Sequence, residues 1–180
     1  MAARYESFLS AGVRLAAIDV DSPAQHAAMV SKLDLPFAYL SDSDRAGAIQ
    51  PFGLSNPDDP RNLAYPALVL LDPEGAEVWR WVSRDFADRM PEDDVVEVVG
   101  GYGWAPVAGE AIEIGLAEPG PRAMPFEGLS FYLRGARFAA LAMGLRHGHH
   151  DPSIKADSKE YVAEMDRFLA DYAALKERRG

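Results

Sequence analysis

The sequence predicts an α/β fold with a mixed sheet, helices that flank the sheet and a helical hairpin at the C-terminal end. In the first half of the chain, short apolar segments alternate with helical patterns. Two further strand patterns then follow each other across a tight turn, and two long helical patterns close the chain. Alternation with helices favours parallel pairing and a direct turn favours antiparallel pairing, so we expect a mixed sheet.

The first elements are a short helix and a buried strand. Tyr5, Phe8 and Leu9 lie at helical spacing and mark one apolar face, which Gly12 ends. The segment Val13–Val20 is apolar and partly β-branched, as is typical of a strand covered on both faces.

A second helix and a second strand follow. Asp21–Pro23 supplies a capping side chain and a proline for the first turn of a helix that runs to Leu33. Phe37–Leu40 is a short strand, and we expect a further helix around Arg45–Phe52 before an irregular loop at Ser55–Asn62. The order is then helix, strand, helix, strand, helix.

The last strands of this region form a predicted hairpin. Ala67–Leu71 and Glu77–Val82 flank the turn residues Asp72–Gly75. Residues 1–99 are therefore expected to form one domain. Residues 100–126 are rich in glycine and proline and form a connection, in which only Glu110–Leu116 alternates like a strand.

Residues 127–180 are predicted to form a C-terminal helical extension. Gly128–His147 is apolar on most sides, so it requires a covering surface on most sides. Asp157 with Glu160 resembles a capping box, and apolar side chains then recur at spacings of four and three from Tyr161 to Leu175. The pair is expected to form a hairpin that packs on the domain or on a second subunit.

Composition limits the partners and the chemistry. The 28 acidic and 18 basic side chains give a net charge of −10, which disfavours nucleic acid. No apolar run is long enough for a membrane span, so we expect a cytoplasmic protein without a membrane partner. The chain has no cysteine, which excludes disulfides, thiolate nucleophiles and cysteine metal sites, and it has no threonine.

Three segments, in this order, carry a resemblance to a known family: GVRLAAIDVDSPAQHAAMVSKLDLPFAYLSD at Gly12–Asp42, the pair Phe52–Gly53, and PALVLLDPEGAEVW at Pro66–Trp79. Over roughly residues 1–99 the chain resembles the peroxiredoxin or alkyl hydroperoxide reductase and thiol-specific antioxidant family. The resemblance implies a thioredoxin-like fold. It also implies that Asp21, Ser22, Tyr65 and Pro66 surround the family site, with Pro66 as a candidate cis-proline.

The chain departs from this family at the reactive centre. The family carries a Pro-x-x-x-Thr-x-x-Cys motif at the start of its first core helix, where the helix N-terminus stabilises the thiolate. This chain has neither threonine nor cysteine, and the family arginine expected near the hairpin is also missing. In register with the family, the strand and the cysteine loop would lie upstream of Met1. We therefore expect no thiol peroxidase activity from this polypeptide.

The resemblance also implies a gap in the sheet, because the missing strand would lie between Val13–Val20 and Ala67–Leu71. Unpaired apolar edges promote association, so the gap should be filled or covered. Glu110–Leu116 is one candidate for this role and a second chain is the other. The remaining alternative is a longer natural protein, whose start lies upstream and whose cysteine is intact. Together with the apolar Gly128–His147 helix, this gap predicts a homodimer.

Two functions follow from these observations. The chain is either a truncated or cysteine-less member of the peroxiredoxin lineage, inactive alone, or a non-catalytic thioredoxin-like module that binds an extended peptide or protein partner around Pro66. A remote alternative is a metal-dependent phosphatase, because Asp19 and Asp21 form a D-x-D pattern at a strand end and Asp93–Asp94 could serve as a late acidic pair. The absence of any lysine between Lys32 and Lys155 weighs against the phosphatase.

The histidines give only weak metal candidates. His147, His149 and His150 lie next to Asp151, but adjacent loop residues lack the fixed geometry of helix spacing, so a polar loop is the expected role. His26 has no neighbouring carboxylate in its own helix, and we expect it to be exposed. The sequence therefore predicts no catalytic residue, no metal and no cofactor.

Overall fold

The computed structural model describes residues 1–61, 63–83, 85 and 88–179. Its helices and strands are, in chain order, α1 (Tyr5–Ser10), β1 (Ala16–Asp19), α2 (Pro23–Leu33), β2 (Ala38–Ser41), β3 (Ala67–Leu71), β4 (Glu77–Val82), α3 (Glu92–Gly100), α4 (Gly128–His147) and α5 (Pro152–Arg179). A 3-10 turn at Ala2–Arg4 precedes α1. The chain divides into two compact units, Met1–Pro121 and Arg122–Gly180.

The first unit contains two small sheets instead of one. β1 and β2 pair in parallel, with Ala17 opposite Tyr39 and Asp19 opposite Ser41. β3 and β4 pair antiparallel, with a register shift between Leu70 and Leu71. The mixed α/β class is confirmed, but the expectation that all four strands share one hydrogen-bonded sheet is wrong, because no ladder joins β1 to β3 within the described residues.

Local signals account for α2 and for the hairpin. Ser22 and Gln25 form a complete capping box: the Ser22 side chain accepts from the Gln25 amide, and the Gln25 side chain accepts from the Ser22 amide. In the hairpin turn, Asp72 Oδ1 accepts from the amides of Glu74 and Ala76. Gly75 follows at φ 84°, a conformation that glycine adopts without steric cost.

The helices predicted from the sequence require two corrections: one predicted helix does not form, and one observed helix was not predicted. Arg45–Phe52 forms successive turns, because the Asp42 carboxylate accepts from the amides of Gly47, Ala48 and Ile49 and so fixes a compact loop. Conversely, α3 at Glu92–Gly100 was not anticipated from the sequence. The end of the expected loop, Asn62, lies outside the described residues.

The predicted strand at Glu110–Leu116 does not form. This segment has no regular secondary structure and pairs with no described strand, and bonds on either side hold it: Val107 donates to the Leu9 carbonyl at 2.9 Å and Glu118 to the Ala24 carbonyl at 3.0 Å. The segment therefore runs from α1 to α2 and does not fill the gap between β1 and β3.

The core of the first unit lies between α1, α3 and the hairpin. Phe8 is fully buried and packs with Val13, Leu70, Val95 and Val99. Because β3 and the segment that leads into β1 share this core, packing positions the strands even where no ladder joins them.

The second unit is a helical hairpin. Ser158 Oγ donates to the Ala140 carbonyl at 2.7 Å, and Arg137 pairs with Asp166 at 2.6 Å. The fifth helix begins at Pro152, because Asp151 accepts from the amide and the hydroxyl of Ser153 and thus caps it. The capping box expected at Asp157 is therefore wrong, since this residue lies inside the helix.

Among the described residues, no helix is both long enough and apolar enough to cross a bilayer.

Candidate functional site

The most developed polar cluster lies where the two parallel strands end. Side chains alternate between the faces of a strand, so the register of β1 and β2 puts Ala17, Asp19, Tyr39 and Ser41 on one face. The other face carries Ile18 and Leu40, which are 43% and 48% exposed. The carboxyl ends of parallel strands are a common position for binding sites in α/β proteins.

The start of α2 brings a histidine to the same place. The Ser22–Gln25 capping box fixes the first turn of the helix directly after β1. His26 follows one turn into the helix and is only 3% exposed. Its ring stacks on the Tyr39 ring, with the centroids 4.4 Å apart and the planes 4° from parallel.

Asp19 is the centre of this group, which we call the Asp19 cluster (Asp19, Asp21, His26 and Tyr39). Its Oδ1 atom lies 2.6 Å from His26 Nε2 and accepts from the Asp21 amide at 2.7 Å. Its Oδ2 atom accepts from the Tyr39 hydroxyl, also at 2.7 Å. Charge-assisted hydrogen bonds of this length are stronger than neutral ones, so the carboxylate is firmly oriented.

The environment of Tyr39 favours its neutral form. Burial raises the pKa of the Tyr39 hydroxyl above its ordinary value, and its hydrogen bond to Asp19 raises the pKa further. The negative charges of Asp19 and Asp21 act in the same direction, whereas the Arg89 guanidinium opposes them. Tyr39 therefore remains a hydrogen-bond donor to the carboxylate at neutral pH.

His26 corrects the expectation drawn from its sequence position. Its carboxylate partner comes from the preceding strand, seven residues earlier, and not from its own helix. The contact with a carboxylate oxygen requires the proton on Nε2. Nδ1 is buried and has no hydrogen-bond partner among the described residues. An aspartate at a strand end followed by a histidine in the first turns of the next helix was the signal that could have revealed this pair.

The same residues form the group of potential metal ligands found in the described part of the chain. One ligand atom each from Asp19, Asp21 and His26 can be chosen so that all three lie within 4.8 Å of one another. Asp21 is exposed and the Asp19 side chain is 37% exposed, so the cluster is open to solvent on its carboxylate side.

The residues that the resemblance implied lie at two places. Asp21 and Ser22 are exposed at the start of α2, where the Asp21 carbonyl accepts from Ser41 Oγ at 2.6 Å. Tyr65 and Pro66 are half-buried and lead into β3: the Tyr65 amide donates to Leu54, and the Pro66 carbonyl accepts from the Ser83 amide. None of these described bonds joins the two pairs.

The candidate cis-proline is also corrected, because the structure has no cis peptide bond among the described residues. The trans form is the more stable isomer of an X–Pro bond. Here the trans Pro66 continues the hairpin backbone to Ser83.

A cavity of about 290 Å³ lies next to the cluster. Its walls combine apolar side chains of α2 and β2 with the segment 110–115, and they include Tyr5, Phe37 and the rings of His26 and Tyr39. Arg14, which donates to the Ala108 carbonyl and pairs with Glu110 at 3.3 Å, holds this segment in place. The segment predicted to be a strand therefore forms one wall of a cavity.

The histidines at the end of α4 form a separate group. The rings of His149 and His150 have centroids 3.7 Å apart and are tilted by 44°. His147 ends α4, and its carbonyl accepts from the amides of His150 and Asp151. Metal binding by these residues stays a weak prediction.

Comparison with known families gives one match. Residues 1–78 match the model of the AhpC/TSA family. The match ends inside β4, so it covers the segments that carried the resemblance except Trp79, and it does not cover the remainder of the region 1–99. A comparison with curated proteins finds no match for the chain. The family resemblance stated from the sequence is confirmed.

Proposed function

Since residues 1–78 match the AhpC/TSA family model, we propose that the chain is a protein of the redoxin lineage that performs no thiol peroxidase chemistry by itself. The observation that carries this proposal is the absence of cysteine from all 180 residues. In this chemistry the thiolate is the nucleophile that attacks the peroxide. A methionine thioether carries no ionisable proton and supplies no thiolate.

A peroxidase assay tests this proposal. The purified chain, with a metal chelator present, is given hydrogen peroxide or an organic hydroperoxide together with thioredoxin and its reductase. We expect peroxide consumption equal to that of buffer, while a cysteine-containing peroxiredoxin consumes peroxide in the same assay. Turnover by the chain above the buffer rate would refute the proposal.

A second role, as a non-catalytic binding module, is supported by the split sheet. Within the described residues β1 pairs only with β2, and β3 only with β4. β1 and β3 thus each have one edge that pairs with no described strand, and the segment 110–116 occupies neither edge. Such edges are where an extended peptide adds as a further strand. We propose that an extended partner segment binds there.

NMR titration of the ¹⁵N-labelled chain tests the binding role. The probe is an acetylated seven-residue peptide of alternating lysine and valine, and the control carries proline at its centre, which cannot donate to a ladder. We expect amide shift changes confined to β1 and β3 with the probe and none with the control. Changes of equal size with both peptides, or none with the probe, would contradict strand addition.

We also propose that the chain is a cytoplasmic homodimer that pairs through α4. Phe131, Phe138 and Leu145 are 73%, 62% and 74% exposed, and they repeat every seven residues along this helix. A seven-residue apolar repeat is the spacing by which two helices pack along a common seam. A second copy of α4 therefore fits this face, and the pairing would cover the three most exposed large apolar side chains among the described residues of the second unit.

The hydrogen bonds of Asp19 weigh against the phosphatase alternative. Asp19 accepts three hydrogen bonds, from His26, Tyr39 and the Asp21 amide, which withdraw electron density from the carboxylate that would attack phosphorus. A carboxylate that three donors hold in one orientation is better suited to bind a ligand than to act as a nucleophile.

A further inference from the structure

We propose that Asp19, Asp21 and His26 form a binding site for a divalent first-row transition metal, with Zn²⁺ bound more tightly than Mn²⁺. This inference is independent of the proposed function, because it concerns neither thiol chemistry nor strand addition. The site combines one imidazole with two carboxylates. Imidazole suits zinc and iron, whereas carboxylate oxygens suit magnesium and manganese as well.

The distances between the ligand atoms fit such a metal after a small movement. Zinc bonds of about 2.0–2.1 Å in a tetrahedral site place neighbouring ligand atoms about 3.4 Å apart. The three candidate atoms lie within 4.8 Å of one another, and His26 Nε2 and Asp19 Oδ1 are 2.6 Å apart. The exposed Asp21 side chain, whose oxygens accept no described hydrogen bond, can close the larger distance by rotation.

Two of the ligands are already held in place by their neighbours. The His26 ring is buried and stacked on Tyr39, so its Nε2 atom is fixed toward the carboxylates. Asp19 is oriented by the Tyr39 hydroxyl through Oδ2, which retains a second lone pair. Hydrogen bonds that orient the ligands in this way are a regular feature of metal sites in proteins.

The unpartnered Nδ1 atom of His26 bears on both the presence and the strength of binding. When Nε2 coordinates a metal, its hydrogen bond to Asp19 Oδ1 is broken and the ring proton moves to Nδ1, which has no hydrogen-bond partner among the described residues. The proton then lacks an acceptor, whereas most metal-bound histidines donate this proton to a partner. We therefore expect affinity about 10- to 100-fold below that of a site with a complete set of such partners.

Calorimetric titration of the metal-free full chain with ZnCl₂ tests the site. Because His147, His149 and His150 could bind zinc separately, the titration uses a variant in which all three are replaced by glutamine. We expect one zinc per chain, at least tenfold weaker binding in Asp21→Asn, and unchanged binding in the control Asp34→Asn, which alters an exposed carboxylate at the other end of α2. MnCl₂ should bind at the same stoichiometry and more weakly.

Two outcomes would overturn the proposal. The first is an absence of zinc binding in the triple-glutamine variant, or binding that Asp21→Asn leaves unchanged. The second is MgCl₂ binding as tightly as ZnCl₂, which would show that the imidazole takes no part. The ¹⁵N shifts of the His26 ring are an independent measure: zinc should move the signal of Nε2, and no movement at saturation would also refute the site.

Discussion

The hydrogen bond from Tyr39 to Asp19 can be tested by removing one oxygen atom. Tyr39→Phe keeps the ring that stacks on His26 and deletes the hydroxyl that lies 2.7 Å from Asp19 Oδ2. A hydrogen bond to a charged group contributes about 1.5–3 kcal/mol. The Asp19 side chain is 37% exposed, so solvent screening and replacement by water reduce this contribution to about 1–2 kcal/mol.

Urea unfolding followed by tryptophan fluorescence measures this loss. The three tryptophans, Trp79, Trp81 and Trp104, all lie in the unit Met1–Pro121, so the signal reports the unit that contains Tyr39. With a slope of about 2 kcal/mol per molar urea, the midpoint should fall by about 0.5–1 M.

The matched control for this substitution is Tyr102→Phe. Its hydroxyl donates to the Val78 carbonyl at 3.1 Å, a neutral acceptor, and the residue is 39% exposed. We expect a smaller decrease, about 0.5 kcal/mol. If the two variants lowered the midpoint equally, the carboxylate of Asp19 would contribute nothing beyond an ordinary hydrogen bond, and the account of the cluster would be wrong.

Alkaline pH provides a second measurement on Tyr39. Its folded-state pKa is raised above the unfolded value of about 10. The stability that this shift contributes is therefore complete below pH 10 and is lost as the pH rises toward the folded-state pKa. Unfolding midpoints measured between pH 9 and pH 12 should fall more steeply in the wild type than in Tyr39→Phe, and equal slopes would contradict the shift.

Four further outcomes are expected. Phe8→Ala, at a fully buried position, should cost about 3–5 kcal/mol in urea unfolding, and a loss below 1 kcal/mol would show that the core is placed incorrectly. Ser22→Ala should cost about 0.5–2 kcal/mol, whereas Ser22→Asp, which keeps a capping acceptor, should retain most of the stability. The amides of Ile49, Gly47 and Ala48 lower the pKa of Asp42. The contribution of Asp42 to stability is therefore present above about pH 4 and is lost as the pH falls through the folded-state pKa. Asp42→Asn should make the unfolding temperature less dependent on pH on the acid side, and an unchanged pH dependence would exclude this role. Light scattering should give twice the 19.6 kDa chain mass for the wild type and for Lys159→Glu, but a single chain for Phe138→Glu; a monomeric wild type would refute the dimer.

The elements that the sequence predicted well are those set by neighbouring residues. The second helix follows from Ser22, Pro23 and Gln25, which satisfy the amides of its first turn without help from the rest of the chain. The β3–β4 hairpin follows from Asp72 and Gly75, which fix the turn and with it the register. In both cases the deciding hydrogen bonds join residues at most four positions apart.

The errors arise where a distant or competing partner decides the structure. Apolar residues such as Ile49 and Phe52 favoured a helix, but the Asp42 carboxylate takes three amides of that segment and converts it into turns. Asp157 was expected to cap the last helix, yet the helix starts at Pro152 after the cap Asp151, six residues before Asp157. A capping motif predicts a helix start only when no earlier cap competes with it.

The candidate site illustrates the same limit at longer range. His26 lacked a carboxylate in its own helix, so its sequence neighbourhood indicated an exposed side chain. Its partners are Asp19 and Tyr39, which the parallel register of β1 and β2 brings to one face. Each residue of β1 lies opposite the residue 22 positions later in the sequence, as Ala17 lies opposite Tyr39. Only the pairing of β1 with β2 creates the site, and strand register could not be derived from the residues of either strand alone.

The segment Glu110–Leu116 shows why alternation of apolar and polar residues is not sufficient for a strand. A strand requires a free edge within reach and in register. This segment is instead fixed by the hydrogen bond from Val107 to Leu9 of α1 and by the hydrogen bond from Glu118 to Ala24 of α2. At Gly12, where φ is 83°, a Cβ atom would lie 2.6 Å from Trp104 Cβ, so the close approach that starts this path depends on a glycine. The bonds at its two ends hold the segment against the helices, where it closes a cavity. The edges of β1 and β3 consequently remain available for pairing, and strand addition by a partner is the hypothesis that follows most directly from this arrangement.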